Sequence, residues 1–229
     1  MKSGKPRIIN HNSKKYLKAW NKLSPGEQTN GAYFYSQEIC ENIIPYVKTD
    51  RNWVTVRVKH YQPPEHSIIF VHNNVHPEWY DCLNPNEHDY VLVCMLEETR
   101  DLLRERLNCR DKIIYLPLSV DVDYLNQFRC VKTREVAFAG RRTTRNRAGY
   151  EFDESVDYIE DLPREEFLKK LAEYKYVYAI GRCAIEAKAL GCEILPFSPR
   201  FPDPNIWQVL DNHDAVKLLQ SMLDEIDER

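Results

Sequence analysis

The sequence predicts an α/β protein made of two small Rossmann-like domains with parallel sheets and a cleft between them. Three observations predict it. Short apolar runs rich in β-branched residues alternate with helical patterns along the chain. The runs are continuously apolar rather than alternating, as strands covered on both faces are. At 229 residues, with 43% hydrophobic and 29% charged side chains, the chain is long enough for two such sets and can bury a core.

The elements follow in order. Arg7–Asn10 (Arg-Ile-Ile-Asn) reads as a short strand, and Ala32–Val47 has helical apolar spacing behind Gly31. Trp53–Val58, Ser67–His72 and Tyr90–Cys94 read as strands. Glu97–Leu107, dense in Leu, Glu and Arg, reads as a helix, and Lys112–Leu118 closes the first set. The second set begins with the strand Glu135–Gly140 and a weaker one at Ser155–Ile159. Pro163–Tyr174 reads as a helix with Pro at its first position and acids in its first turn. Tyr176–Ile180 is a strand, Cys183–Leu190 a helix stopped by Gly191, and Glu193–Phe197 a strand. Asp211–Glu228 is a terminal helix opened by the capping residues Asp211-Asn212-His213-Asp214. The expected division is residues 1–125 and 126–229.

Composition excludes several classes. The net charge of −3 removes global basicity as an argument for nucleic acid, leaving only local patches. Seven cysteines without a CxxC pair speak against a disulfide framework or a cysteine zinc site, and for reduced thiols in the cytoplasm. The charged start Met-Lys-Ser-Gly-Lys-Pro-Arg is followed by no apolar stretch, so no signal peptide is expected. No apolar run approaches the ~18–20 residues of a membrane helix. The basic aromatic segment Ser13–Leu23 has helical spacing. It reads as a packed surface helix, with peripheral membrane or nucleic-acid backbone contact as alternatives. No GxGxxG follows the first strand, which disfavours a Rossmann oxidoreductase.

Three segments carry a family likeness. Tyr90-Val-Leu-Val-Cys-Met-Leu-Glu-Glu-Thr-Arg leads through Lys112-Ile-Ile-Tyr-Leu-Pro to Ser119-Val-Asp-Val-Asp123, and Phe138-Ala-Gly-Arg141 follows. Gly181-Arg-Cys-Ala-Ile-Glu186-Ala-Lys-Ala-Leu-Gly191 then precedes Pro196. Together they resemble the GT-B glycosyltransferases, with their Gly-Arg turn and Glu-Ala-x-Ala-x-Gly donor helix. The likeness runs from about Gly31 to Phe197, over a chain shorter than typical members. It departs from the family at Tyr178, where members with paired glutamates have the first Glu, and at Leu96 and Pro117-Leu118-Ser119. The stretch Arg142–Glu154, where members continue with a helix, is not clearly helical.

The resemblance implies transfer of a sugar, hexosyltransferase-like, from a nucleotide-sugar (a UDP-sugar is the expected form) to an acceptor hydroxyl. It implies that Glu186 accepts from the ribose hydroxyls, while Gly181, Arg182, Cys183 and Ala184 hold the diphosphate at a helix N-terminus. Arg141 after Gly140, supported by Arg145, would fork onto the diphosphate and stabilise the leaving group. Gly31 occupies the place of a donor-facing glycine loop. His72 would face the acceptor or sugar, as general base or hydrogen-bond donor. His76 lies four residues on, but no third metal ligand is evident, and arginines can carry the phosphate charge without metal. The acceptor stays open among a glycan, a lipid-linked sugar and a modified DNA base, and retention or inversion is not assignable. The alternatives are a non-catalytic nucleotide- or sugar-binding module of the same fold and a phage-type DNA-base glycosyltransferase.

Overall fold

In the computed structural model, residues 7–9, 31–55, 62–71, 77–142, 145 and 151–229 are described. The described residues form two compact units, one of 7–9, 36–55, 62–71, 77–117 and 213–229, the other of 31–35, 118–142, 145 and 151–212. The units therefore part at 117/118 rather than 125/126, and the terminal helix belongs to the first unit.

The first unit holds five parallel strands in sequential order. They are β1 (Ile8–Ile9), β2 (Asn52–Val54), β3 (Ser67–Val71), β4 (Tyr90–Cys94) and β5 (Ile113–Tyr115). Every residue of β3 and β4 is buried, as the unbroken apolar runs require. On one face Val54, Ile69, Val71, Leu92, Cys94 and Ile113 share a core with Leu103 of α2 (Glu97–Arg106), Leu107 just beyond it, and Tyr80 and Leu83 of the 3-10 turn Pro77–Leu83. Trp53 and Phe70 stack with ring centroids 6.2 Å apart.

The helix expected over 32–47 is shorter and changes pitch. α1 (Gly31–Glu38) runs into a π turn at Ile39–Ile43 and a 3-10 turn at Ile44–Tyr46. Tyr35, Ile39, Ile43 and Val47 are all buried. A strict four-residue spacing drifts around an α-helix of 3.6 residues per turn, and a wider turn keeps such a stripe inward. Pro45, having no N–H to give, lies within that 3-10 turn, after the wider turns have ended.

The second unit begins with β6 (Ser119–Val120) and α3 (Val122–Asn126). Its main sheet has four parallel strands: β7 (Arg134–Gly140), β8 (Asp157–Glu160), β9 (Tyr174–Tyr178) and β10 (Glu193–Leu195). The order is β10-β9-β7-β8. The helices α4 (Arg164–Leu171) and α5 (Arg182–Ala189) make the crossovers after β8 and β9. Both crossovers run in the same direction across the sheet, so right-handedness places both helices on one face. The other face carries Phe138 and Tyr178 beneath Phe152, Val156 and Phe197. A short strand β11 (Leu210–Asp211) pairs with β6, and α6 (Asn212–Asp227) follows. α6, which from His213 on belongs to the first unit, buries Ala215, Leu219 and Leu223, four residues apart, and its Asp227 accepts from Arg51 of the same unit at 2.7 Å.

Several boundaries differ from the sequence reading. Pro163 caps α4 instead of opening it, and Tyr174 is the first residue of β9 rather than the end of a helix. Asp211 belongs to β11, a strand the sequence reading lacks, as it lacks β6 and α3. None of the seven cysteines is in a disulfide. Among the described residues, no helix is long and apolar enough to cross a membrane. Ser13–Leu23 lies outside the described residues.

Candidate functional site

Strand order singles out one end of one sheet. In open parallel sheets ligands bind beyond the carboxyl ends of the strands, where the order reverses. The first sheet has no reversal among its described strands. In the second, the chain leaves β7 for β8 on one side and returns to β9 on the other, so the reversal falls between β7 and β9. The loops after β7 and β9 carry Gly140-Arg141 and Gly181-Arg182.

Each loop has a local reason for its shape. Gly181 caps α5 at φ 59° and ψ −134°, a region closed to side chains, so the chain can turn sharply from strand to helix. Gly140 ends β7 where a Cβ would lie 3.3 Å from the Phe138 ring. Beyond it the Arg145 N–H donates to the Arg141 carbonyl at 3.2 Å, one α-type turn in a stretch not clearly helical in sequence. After β8 the chain passes Asp161 at φ 55° and Pro163 before α4 opens with Arg164.

Glu186 is 1% exposed, which excludes a solvent-facing helical glutamate. One of its oxygens, Oε1, accepts from Arg164 at 2.6 Å and from Arg182 Nε at 2.5 Å. Burial opposes its charge, but Arg182 and Arg164 outweigh burial and hold the carboxyl below its ordinary range. The expected ribose acceptor is therefore already engaged by two arginines.

Arg145 is also committed. Its Nε donates to Glu160 at 2.8 Å, and its guanidinium lies 4.3 Å from the Tyr158 ring centroid. Glu160 keeps only 7% of its side chain exposed and also meets Arg142 at 3.4 Å. Arg141 is exposed and forms no ion pair among the described residues. Of the three arginines expected to face phosphate, Arg141 alone has no carboxylate partner among the described residues, while Arg145 and Arg182 are held by carboxylates.

The remaining expected residues divide as follows. The Ala184 N–H, expected to face an anion, donates to the Gly181 carbonyl at 3.1 Å, and its side chain is buried. Burial and the neighbouring Glu186 charge push the Cys183 thiol up to about 12, so it is no thiolate at neutral pH. Gly31 is the first residue of α1. His72 and His76 lie outside the described residues. Tyr178 packs on Phe152 with centroids 4.8 Å apart, an aromatic core contact where the resemblance has a carboxylate. The sequence holds one Asp-x-Asp spelling, Asp121-Val122-Asp123, and Asp121 is spent capping α3 through the Tyr124 N–H at 2.8 Å. No cluster of metal-ligating side chains occurs among the described residues.

Sequence reasoning misses Arg164. Its only local signal is its place just after Pro163 at the start of α4, and its partner Glu186 lies in the next helix. Five arginines (141, 142, 145, 164 and 182) thus sit on the loops and helix starts after β7, β8 and β9, with carboxylates among them: Glu160 at the end of β8, Asp161 just beyond it, Glu165 and Glu166 in the first turn of α4, and Glu186 within α5. The chain matches no known protein-family profile and no curated protein.

Proposed function

We propose that this end of the second sheet binds the diphosphate of a nucleotide-sugar and that the protein is a glycosyltransferase of the GT-B class. The observation that carries the reading is the set of arginines from three neighbouring loops at the point of strand reversal. Guanidinium forks match the oxygens of a phosphate two at a time. In glycosyl transfer the bond from the sugar C1 to the diphosphate breaks, and negative charge grows on the leaving phosphates. Cations already held in place stabilise that charge without reorganising. Arg141 is the exposed fork for this, with Arg142 beside it. His72, by resemblance, would take the acceptor's proton or orient the sugar. A UDP-sugar is the expected donor, in the cytoplasm, and the acceptor is a hydroxyl of a glycan, a lipid-linked sugar or a modified base.

One observation favours a second reading, a non-catalytic binding module. Tyr178 is an aromatic packing residue where a sugar-facing carboxylate stands in the paired-glutamate members. The two readings share the binding site and differ in turnover.

The test is a thermal-shift panel of nucleoside diphosphates and nucleotide-sugars, followed by assay of released nucleoside diphosphate. A ligand at about 100 times its Kd contributes roughly 2.7 kcal/mol of stability, a shift easily read. Stabilisation by one donor, reduced in Arg141→Gln and accompanied by turnover, supports glycosyl transfer. Stabilisation without turnover against any acceptor class favours the binding module. No stabilisation by any diphosphate removes both.

A further inference from the structure

We infer that Arg164 is a ligand-binding residue of this site and that Glu186 positions it together with Arg182, so the site selects paired phosphates rather than a ribose. The inference rests on the proposal above only in placing the ligand at this end of the sheet. It reverses the role that the resemblance gives to Glu186.

The argument starts from one oxygen. Glu186 Oε1 receives guanidinium donors from two helices, Arg164 at the start of α4 and Arg182 at the start of α5. The carboxylate is shut away from solvent, where charge-assisted hydrogen bonds are strong and breaking them leaves buried charge behind. Turning Glu186 toward ribose hydroxyls would exchange such bonds for neutral ones. The favourable arrangement keeps Glu186 as a fixed counter-charge.

That counter-charge sets a spacing. Two cations bound to one atom cannot drift apart. Arg164 reaches the surface with 26% of its side chain exposed, whereas Arg182 keeps 10%. Two arginines thus share one glutamate oxygen, and the exposed Arg141 and Arg142 lie on the loop after β7. An anion with two linked charge centres gains from two cations at fixed spacing. A single phosphate gains from only part of the set. A neutral nucleoside gains nothing from it.

The experiment is calorimetric titration of the full chain with inorganic pyrophosphate, orthophosphate and uridine at constant ionic strength. The proteins are wild type, Arg164→Lys, Arg164→Gln and Glu186→Gln, each checked for folding by circular dichroism. Wild type should prefer pyrophosphate to orthophosphate by at least about tenfold. Arg164→Gln should weaken pyrophosphate by about tenfold or more and orthophosphate by no more than about threefold, with part of the loss recovered in Arg164→Lys. Glu186→Gln should keep anion binding and lose the preference. If Glu186→Gln does not fold, the Arg164 pair decides alone, because that side chain is partly exposed. Pyrophosphate affinity unchanged in Arg164→Gln overturns the inference. So does absence of pyrophosphate binding, or uridine binding that disappears in Glu186→Gln. The inference and the glycosyl-transfer reading fail separately. A pyrophosphate preference without nucleotide-sugar turnover sinks only the reading, and turnover with wild-type KM in Arg164→Gln sinks only the inference.

Discussion

Gly181 shows how one residue ties backbone to site. Nothing lies within 4 Å of where its Cβ would be, so space does not demand glycine there. Its positive φ does, and an alanine would hold a strained conformation costing about 1–3 kcal/mol. Gly181→Ala should therefore lower the urea midpoint and weaken diphosphate binding, because Arg182 is the next residue. An unchanged midpoint would mean that the turn relaxes freely. Tyr178 teaches the opposite lesson. Restoring a carboxylate with Tyr178→Glu places a charge against Phe152 and Phe197. The variant should lose roughly 1–3 kcal/mol on thermal denaturation and gain no turnover. A rise in turnover would show that the aromatic packing is incidental and the missing carboxylate limiting.

At the scale of elements, helix ends explain much of the second unit. The Lys132 Nζ donates at 2.8 Å to the carbonyls of Ala172 and Leu190, the cap residues that close α4 and α5. One cation thus satisfies two helix C-termini, where the dipoles favour positive charge. Lys132→Met should cost about 1–2 kcal/mol by urea denaturation, and a change within error would assign those carbonyls to solvent. The helices and core strands are legible in sequence because each carries its own apolar period. The strand Tyr90–Cys94 falls where its apolar run places it. β6 and β11 are not legible, because a two-residue strand has no period to read. Tyr174 misleads because it continues the apolar spacing of α4, yet it starts a strand whose hydroxyl donates to Asp157 at 2.8 Å. The site divides on the same principle. Gly140-Arg141 and Gly181-Arg182 stand out as local strand-to-turn motifs, whereas the Arg164–Glu186 pair depends on the order of three strands, which no local pattern encodes.

For the whole molecule, charge gathers at opposite strand ends in the two sheets. The second sheet collects arginines beyond its carboxyl ends. In the first, charged groups line the amino ends: Asp50 and Arg51 before β2, His66 before β3, Asp89 before β4 and Lys112 before β5. His66 Nδ1 meets Asp89 at 2.6 Å and Nε2 meets Asp50 at 2.7 Å, so both ring nitrogens must carry protons for both contacts to be hydrogen bonds. Arg51 bonds Asp89 at 2.9 Å, Lys112 lies 3.7 Å from the same carboxylate, and Glu65 pairs with His88 at 2.7 Å alongside. Partial burial and Arg51 oppose the charged ring, but Asp50 and Asp89 outweigh them and raise the His66 pKa. Burial likewise opposes the Asp89 charge, yet His66 and Arg51 bring its pKa down to about 2. The His66 contribution is therefore full below the ordinary histidine pKa of about 6.5 and is lost as pH rises through the higher folded value. The Asp89 contribution is present above about 3.9 and fades toward pH 2. Urea midpoints should fall as pH rises from about 6 to 8.5 in wild type and stay flatter in His66→Asn, whose side chain tolerates the positive φ of 60° at this position. Parallel profiles for the two proteins would show that the strand-start network holds with a neutral ring, leaving Asp89 and Asp227, both bonded to Arg51, as its working core.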